Sequence, residues 1–180
     1  MPQAATHLLI PAFIIALFRD FYIQKKDKRK FPLHYVLIAG IGGVLPDFDI
    51  AFYWILHFYG FTIEQVHRHF THNLFLPLTL LLFALVFHNL RLKELGRHKL
   101  KLSLVFVMLA FGSLTHIILD WLLQGYVMPF FPLSLSSYGL NLISYLPKPL
   151  DSIFIPSLEG AILVIWVIYL EVKHKISDFI

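Results

Sequence analysis

From Leu102 to Leu123 the chain carries no Lys or Arg, and Asp120 is its one acidic residue. As a helix rising about 1.5 Å per residue, such a run is long enough to cross the hydrocarbon core of a bilayer. Four more apolar stretches accompany it: His7 to Phe18 (outer limit Ile23), Phe31 to about Leu45, Asn73 to Leu90, and Ser152 to Leu170. The second is shorter, and Gly40, Gly42 and Gly43 near its end predict close helix packing or an early break. The first is read as a span and not a signal peptide, since no basic region precedes it and no small-residue cleavage site follows. Composition agrees with a lipid environment. At 58% hydrophobic and 14% charged, the chain has too much apolar surface for disorder and too little charge for an ordinary water-soluble globule. The fold class predicted is all-α: a polytopic membrane helix bundle of about five transmembrane helices plus interfacial helices, one domain over residues 1–180.

The basic residues set an orientation. Lys25, Lys26, Lys28, Arg29 and Lys30 follow the first stretch. Arg91, Lys93, Arg97, Lys99 and Lys101 follow the third, and Lys173 and Lys175 follow the fifth. With Arg19, that leaves only Arg68 and Lys148 elsewhere. The positive-inside rule puts these clusters in the cytoplasm, with the N-terminus outside and the C-terminus inside. The protein is then a multi-pass component of the cell's cytoplasmic (inner) membrane. Two long connections lie on the outer side. Residues Pro46 to Phe70 include an apolar piece, Ile50 to Tyr59, expected as a short interfacial helix. Residues Gly125 to Asp151 are apolar yet broken by Pro129, Pro132, Pro147 and Pro149, which suggests a re-entrant or interfacial lid.

On that topology four separate regions deliver His and Asp to one membrane face: His7, then Asp47 and Asp49, then His67, His69 and His72, then His116 and Asp120. The orientation used only Lys and Arg, so this convergence is independent of it. Ionisable groups at membrane depth are costly and point to function. Neutral imidazole with carboxylate suits zinc, manganese or iron, and the absence of Cys excludes thiolate sites. His116 and Asp120, four apart, share a helix face. Asp47 and Asp49 do not, but a turn after Pro46 could aim both inward. His34, His57, His88, His98 and His174 read as interface anchors. Against the metal stands a plainer reading, in which Asp120 pairs with a His only to satisfy a buried charge.

Three motifs carry a resemblance: Leu45-Pro46-Asp47-Phe48-Asp49, His67-Arg68-His69-Phe70-Thr71-His72, and Thr115-His116-Ile117-Ile118-Leu119-Asp120-Trp121. With Thr6-His7 and the Gly125-to-Ser134 stretch with its Pro-Phe-Phe-Pro-Leu-Ser, they resemble the YdjM-like, LexA-regulated family of membrane-bound metal-dependent hydrolases, over essentially the whole chain. His69 stands where that family usually has Gly, and Asn73 where it usually has Ser. The order of ligands is also similar, more distantly, to zinc-dependent phospholipase C.

The resemblance implies a single hydrolase-like domain cleaving a phosphoester. His7, Asp47, His67, His72, His116 and Asp120 would hold one to three divalent ions, zinc favoured. Asp49 would bridge ions, back a His, or act as general base. Arg68 would recognise an oxyanion or pair with Asp47 or Asp49. Thr71 would bond a ligand or cap the third helix. The Gly125 to Pro149 loop would cover the site and hold an acyl chain, so a membrane lipid or other phosphoester is the expected substrate and nucleic acid is not. Other membrane hydrolases fit worse: His-Glu-x-x-His and Gly-x-Ser-x-Gly are both missing. The competing readings are a metal-transporting or metal-sensing membrane protein, and a structural subunit with a metal staple.

Overall fold

The structure, a computed structural model, describes residues 4–23, 31–67, 71–89, 94–95, 100–123 and 125–175. Among the described residues seven α-helices run in chain order: α1 (Ala4–Phe18), α2 (His34–Val44), α3 (Asp49–Leu56), α4 (Ile63–Val66), α5 (Phe75–Asn89), α6 (Leu102–Leu123) and α7 (Leu150–His174). A two-stranded antiparallel ribbon, β1 (Glu94–Leu95) and β2 (Leu100–Lys101), precedes α6. The chain is therefore an all-α membrane bundle. Among the described residues four segments are long and apolar enough to cross a membrane: Ala4–Ile23, His34–Tyr59, Leu102–Leu123 and Leu150–His174. The expected third span, α5, has 15 residues, about 22 Å of helix against a hydrocarbon core of about 30 Å.

One boundary differs from expectation. Pro46 does not end the second span. It lies in the first turn of a 3-10 segment, Leu45–Phe48, where the helix tightens after Val44, and the chain continues directly into α3. The outer face of α3 is apolar and open, with Phe52, Trp54 and Ile55 exposed, as lipid contact would require.

α1, α2 and α6 form the centre of the bundle, with α5 against α6 and α7 against α1. Lipid tails are as apolar as Leu, so association here depends on close packing of small residues. Two glycines show it. A Cβ on Gly43 would strike the His7 carbonyl, and one on Gly112 would strike the Ala39 carbonyl and lie 2.6 Å from the Gly42 carbonyl carbon. The glycine cluster thus serves packing. Below it Ala12, Ala16, Val36, Ala39 and Met108 build an apolar core.

The helices alternate in direction, so α1, α5 and α7 begin, and α2 and α6 end, at one end of the bundle. The opposite end holds Arg19, Lys101, Lys173 and Lys175. There Arg19 is buried and paired with Asp20, whose carboxylate also accepts from the Tyr169 hydroxyl and lies 3.4 Å from His174 Nε2. The basic residues at 25–30 and at 91–99 lie outside the described residues.

Candidate metal centre

The site is built at the end where α2 and α6 terminate. His116 donates from Nδ1 to the Gly43 carbonyl at 2.7 Å. A carbonyl only accepts, so the proton sits on Nδ1 and the Nε2 lone pair faces inward. His7, at the first turn of α1, stacks on His116 with ring centroids 3.8 Å apart. That stacking follows from Gly43, whose bare backbone lets α1 approach α2 at the His7 carbonyl. Asp120, one turn beyond His116, places Oδ1 3.4 Å from His7 Nε2 and Oδ2 3.6 Å from His116 Nε2. Ligand atoms of His7, His116 and Asp120 all lie within 4.8 Å of one another, and all three residues are buried.

A second group adjoins the first. Asp47, His67 and His72 also offer ligand atoms within 4.8 Å of one another. His72 Nε2 lies 3.1 Å from His116 Nε2. Asp47 Oδ1 is 3.4 Å from His72 Nε2 and 3.6 Å from His116 Nε2, and Asp120 Oδ2 is 3.7 Å from His72 Nε2. The two carboxylates therefore reach both groups. His72 and His116 are fully buried, whereas the Asp47 side chain is 24% exposed and marks the open side.

Asp49 stands behind this arrangement. Its Oδ1 accepts from His67 Nδ1 at 2.9 Å, and its Oδ2 accepts from the Thr71 hydroxyl at 2.9 Å and lies 3.3 Å from His72 Nδ1. The Thr71 oxygen is 3.2 Å from the same His72 Nδ1. Both imidazoles are held by their Nδ1 edges, which leaves each Nε2 as the ligand atom. This is the carboxylate–histidine support that metal-binding imidazoles usually have. The 3-10 turn Leu45–Phe48 explains the division of labour: Asp47 faces the His72–His116 pair, and Asp49, two residues on, faces the backs of His67 and His72.

The donor set fits a cation. Two Nε2 atoms 3.1 Å apart repel unless a cation or a proton lies between them. Among the described residues, His7 Nδ1 and Asp120 Oδ1 are buried polar atoms without a hydrogen-bond partner, a cost that a bound ion near Asp120 would relieve. Without metal a proton serves. Burial alone would lower the His72 imidazole, but Asp47 and Asp49 hydrogen bonds and the Asp120 charge outweigh it and push it up to about 9.

Of the residues singled out in the sequence, His7, Asp47, Asp49, His67, Thr71, His72, His116 and Asp120 come together. Arg68 and His69 lie outside the described residues, as does His98. Thr71 does not cap α5, because its hydroxyl is engaged by Asp49. Asn73 caps it instead, accepting from the Phe75 and Leu76 amides at 3.0 and 3.3 Å. Asn and Ser are equivalent caps, so the Asn73 departure from the family pattern preserves that local role. His57 bonds Tyr53 and His88 is exposed, both away from the cluster.

One residue was missed. Glu159, buried in α7, accepts from the Thr6 amide and from the Thr6 hydroxyl, both at 3.1 Å. A lone acid inside the fifth apolar stretch was a readable signal, but its partner lies 153 positions away. Beside the cluster, the Gly125–Asp151 segment is tied back by backbone bonds from Gly125 to Asp120, from Leu74 to Pro129 and from Leu140 to Trp121. With α6 it closes an apolar cavity of about 320 Å³ lined by Ile117, Trp121, Pro129 and Phe130.

The model of the YdjM inner membrane protein family matches residues 1–176, and the chain belongs to that family. No curated protein and no solved structure matches it significantly.

Proposed function

We propose that this member of the YdjM inner membrane protein family is a metal-dependent hydrolase that cleaves a phosphoester at the membrane surface. The observation that carries the reading is the convergence of His72 Nε2 and His116 Nε2 between two shared carboxylates, Asp47 and Asp120. His7, His116 and Asp120 would hold one divalent ion and Asp47, His67 and His72 a second, with zinc favoured and manganese or iron accepted by the same donors. Such ions supply Lewis acidity and a water whose pKa falls from about 15.7 towards about 7. The protein's part is positional. Asp49 and Thr71 fix the imidazole tautomers, the Gly43 carbonyl fixes His116, and the exposed edge of Asp47 is where substrate meets the site. Arg68, adjoining His67 in sequence, is the candidate to bind the substrate's oxyanion.

The positive-inside distribution of Lys and Arg supports a non-cytoplasmic position for this end of the bundle. A second polar group, around Asp20, lies at the other end of the bundle from the His/Asp cluster. Between the two the described helices pack through Ala12, Val36, Ala39 and Met108, which offers a transported ion no polar route and favours the enzyme over a transporter.

The test is turnover by the purified protein of a panel of phosphomonoesters, phosphodiesters and phospholipids. Hydrolysis that chelation abolishes, that zinc restores, and that His67→Ala and Asp120→Ala lose supports the reading. Hydrolysis indifferent to chelation and to both substitutions, or no hydrolysis of any member by zinc-loaded protein, refutes it.

A further inference from the structure

We infer that Glu159 is a positioning residue of the metal centre: from α7 it grips the first turn of α1 and seats His7 against His116 and Asp120. The inference rests on reading the His/Asp cluster as a metal centre.

α7 is peripheral. Of its 25 residues only Ile155 and Glu159 are buried, and being four apart they share the face turned to α1. A carboxylate inside a membrane span is expensive unless its charge is satisfied. Glu159 Oε1 is satisfied by two donors of a single residue, the Thr6 amide and the Thr6 hydroxyl, each at 3.1 Å. The Thr6 amide is among the first N–H groups of α1, which have no partner within the helix. Negative charge there also complements the positive end of the helix dipole.

The consequence falls on the next residue. His7 has no described hydrogen bond of its own to hold it: Nδ1 is buried and unpartnered, and Nε2 stands 3.4 Å from Asp120 Oδ1. His116 is fixed by Gly43, and His67 and His72 by Asp49. Beyond its stacking on His116 and its approach to Asp120, His7 takes its position from the backbone that carries it. That backbone is clamped on one side by the close approach of Gly43 to the His7 carbonyl and on the other by Glu159 through Thr6. Glu159 thus does for His7, across 153 positions of sequence, what Asp49 does directly for His67.

The test measures zinc binding and the visible spectrum of the cobalt(II)-loaded full-length protein, for the wild type and for Glu159→Ala, Glu159→Gln and Thr6→Val. Wild-type protein that binds no zinc refutes the metal-centre reading itself. Given binding, the inference predicts that Glu159→Ala weakens one of about two ions by about tenfold to a hundredfold, the usual effect of losing a supporting partner. It predicts an altered cobalt spectrum and near-complete recovery in Glu159→Gln, whose amide oxygen still accepts from Thr6. Should Glu159→Ala fail to fold, Thr6→Val decides: it removes one of the two bonds and is expected to weaken the same ion severalfold. Zinc affinity and cobalt spectra unchanged in whichever of these two variants folds make Glu159 a helix staple only and overturn the inference.

Discussion

Asp49→Asn probes how the centre is held. The carboxylate meets two donors on separate oxygens, His67 Nδ1 and the Thr71 hydroxyl, each at 2.9 Å. Asparagine is nearly isosteric but offers one acceptor and one NH2 group. If its oxygen faces His67, the NH2 meets Thr71, whose hydroxyl must turn away and release its proton from the bond. If its oxygen faces Thr71, the NH2 meets His67 Nδ1. His67 must then accept there and carry its proton on Nε2, which removes the lone pair a metal needs. Either way one buried bond of the support is lost, at about 1–3 kcal/mol. Zinc affinity should fall about tenfold to a hundredfold, or about 1.4–2.8 kcal/mol. Zinc competition against a chromophoric chelator measures it, with thermal unfolding followed in parallel. Wild-type affinity in Asp49→Asn would refute the orienting role. A loss beyond about a thousandfold, with one ion fewer per chain, would instead make Asp49 a ligand.

Metal binding should depend on pH through His72. Its imidazole is pushed up to about 9 in the metal-free protein, so at neutral pH an ion displaces a proton. Apparent zinc affinity should rise about tenfold per pH unit and level off near pH 9, whereas a flat profile from pH 6 to 9 contradicts the proton-for-metal exchange. In the metal-free protein the sign reverses: the His72⁺ contribution to stability is complete below its ordinary value of 6.5 and lost as pH rises through about 9. Gly112→Ala drives a Cβ into the α2 backbone at Ala39 and Gly43. Overpacking of about 1–3 kcal/mol, read from thermal unfolding, should come with weakened zinc binding, because Gly112 lies one turn before His116; unchanged unfolding would deny the close α2–α6 contact. Asn73→Ala should destabilise by about 1 kcal/mol, while Asn73→Ser should be nearly neutral. Because the chain has no Cys, single cysteines introduced at Glu64 and Lys28 report orientation. Glu64 should label from outside; labelling of Lys28 from outside would invert the topology.

Much of the site was legible because an alternating bundle brings every second helix end together. His7, Asp47, His72 and His116 come from four helix ends, and apolar length plus Lys and Arg placement suffices to put those ends on one face. The roles within the cluster were not legible. Asp47 and Asp49 differ by two residues, and only the 3-10 turn after Pro46 separates the one facing the ligand atoms from the one behind the rings. Glu159 escaped because its partner Thr6 lies on another helix at the far end of the chain, where no local spacing records the pair. Arg19 and His174, read as a topology marker and an anchor, prove to belong to a polar cluster around Asp20 that ties α1 to α7. That too is a contact between sequence-distant residues.

The central claim is that four chain regions build a metal centre, and metal content tests it most directly. Full-length protein purified from membranes, reconstituted with zinc and freed of excess, should retain about two ions per chain. His72→Ala and Asp120→Ala should each retain fewer. No stoichiometric metal in the wild type, or equal metal in the wild type and both variants, would contradict the account.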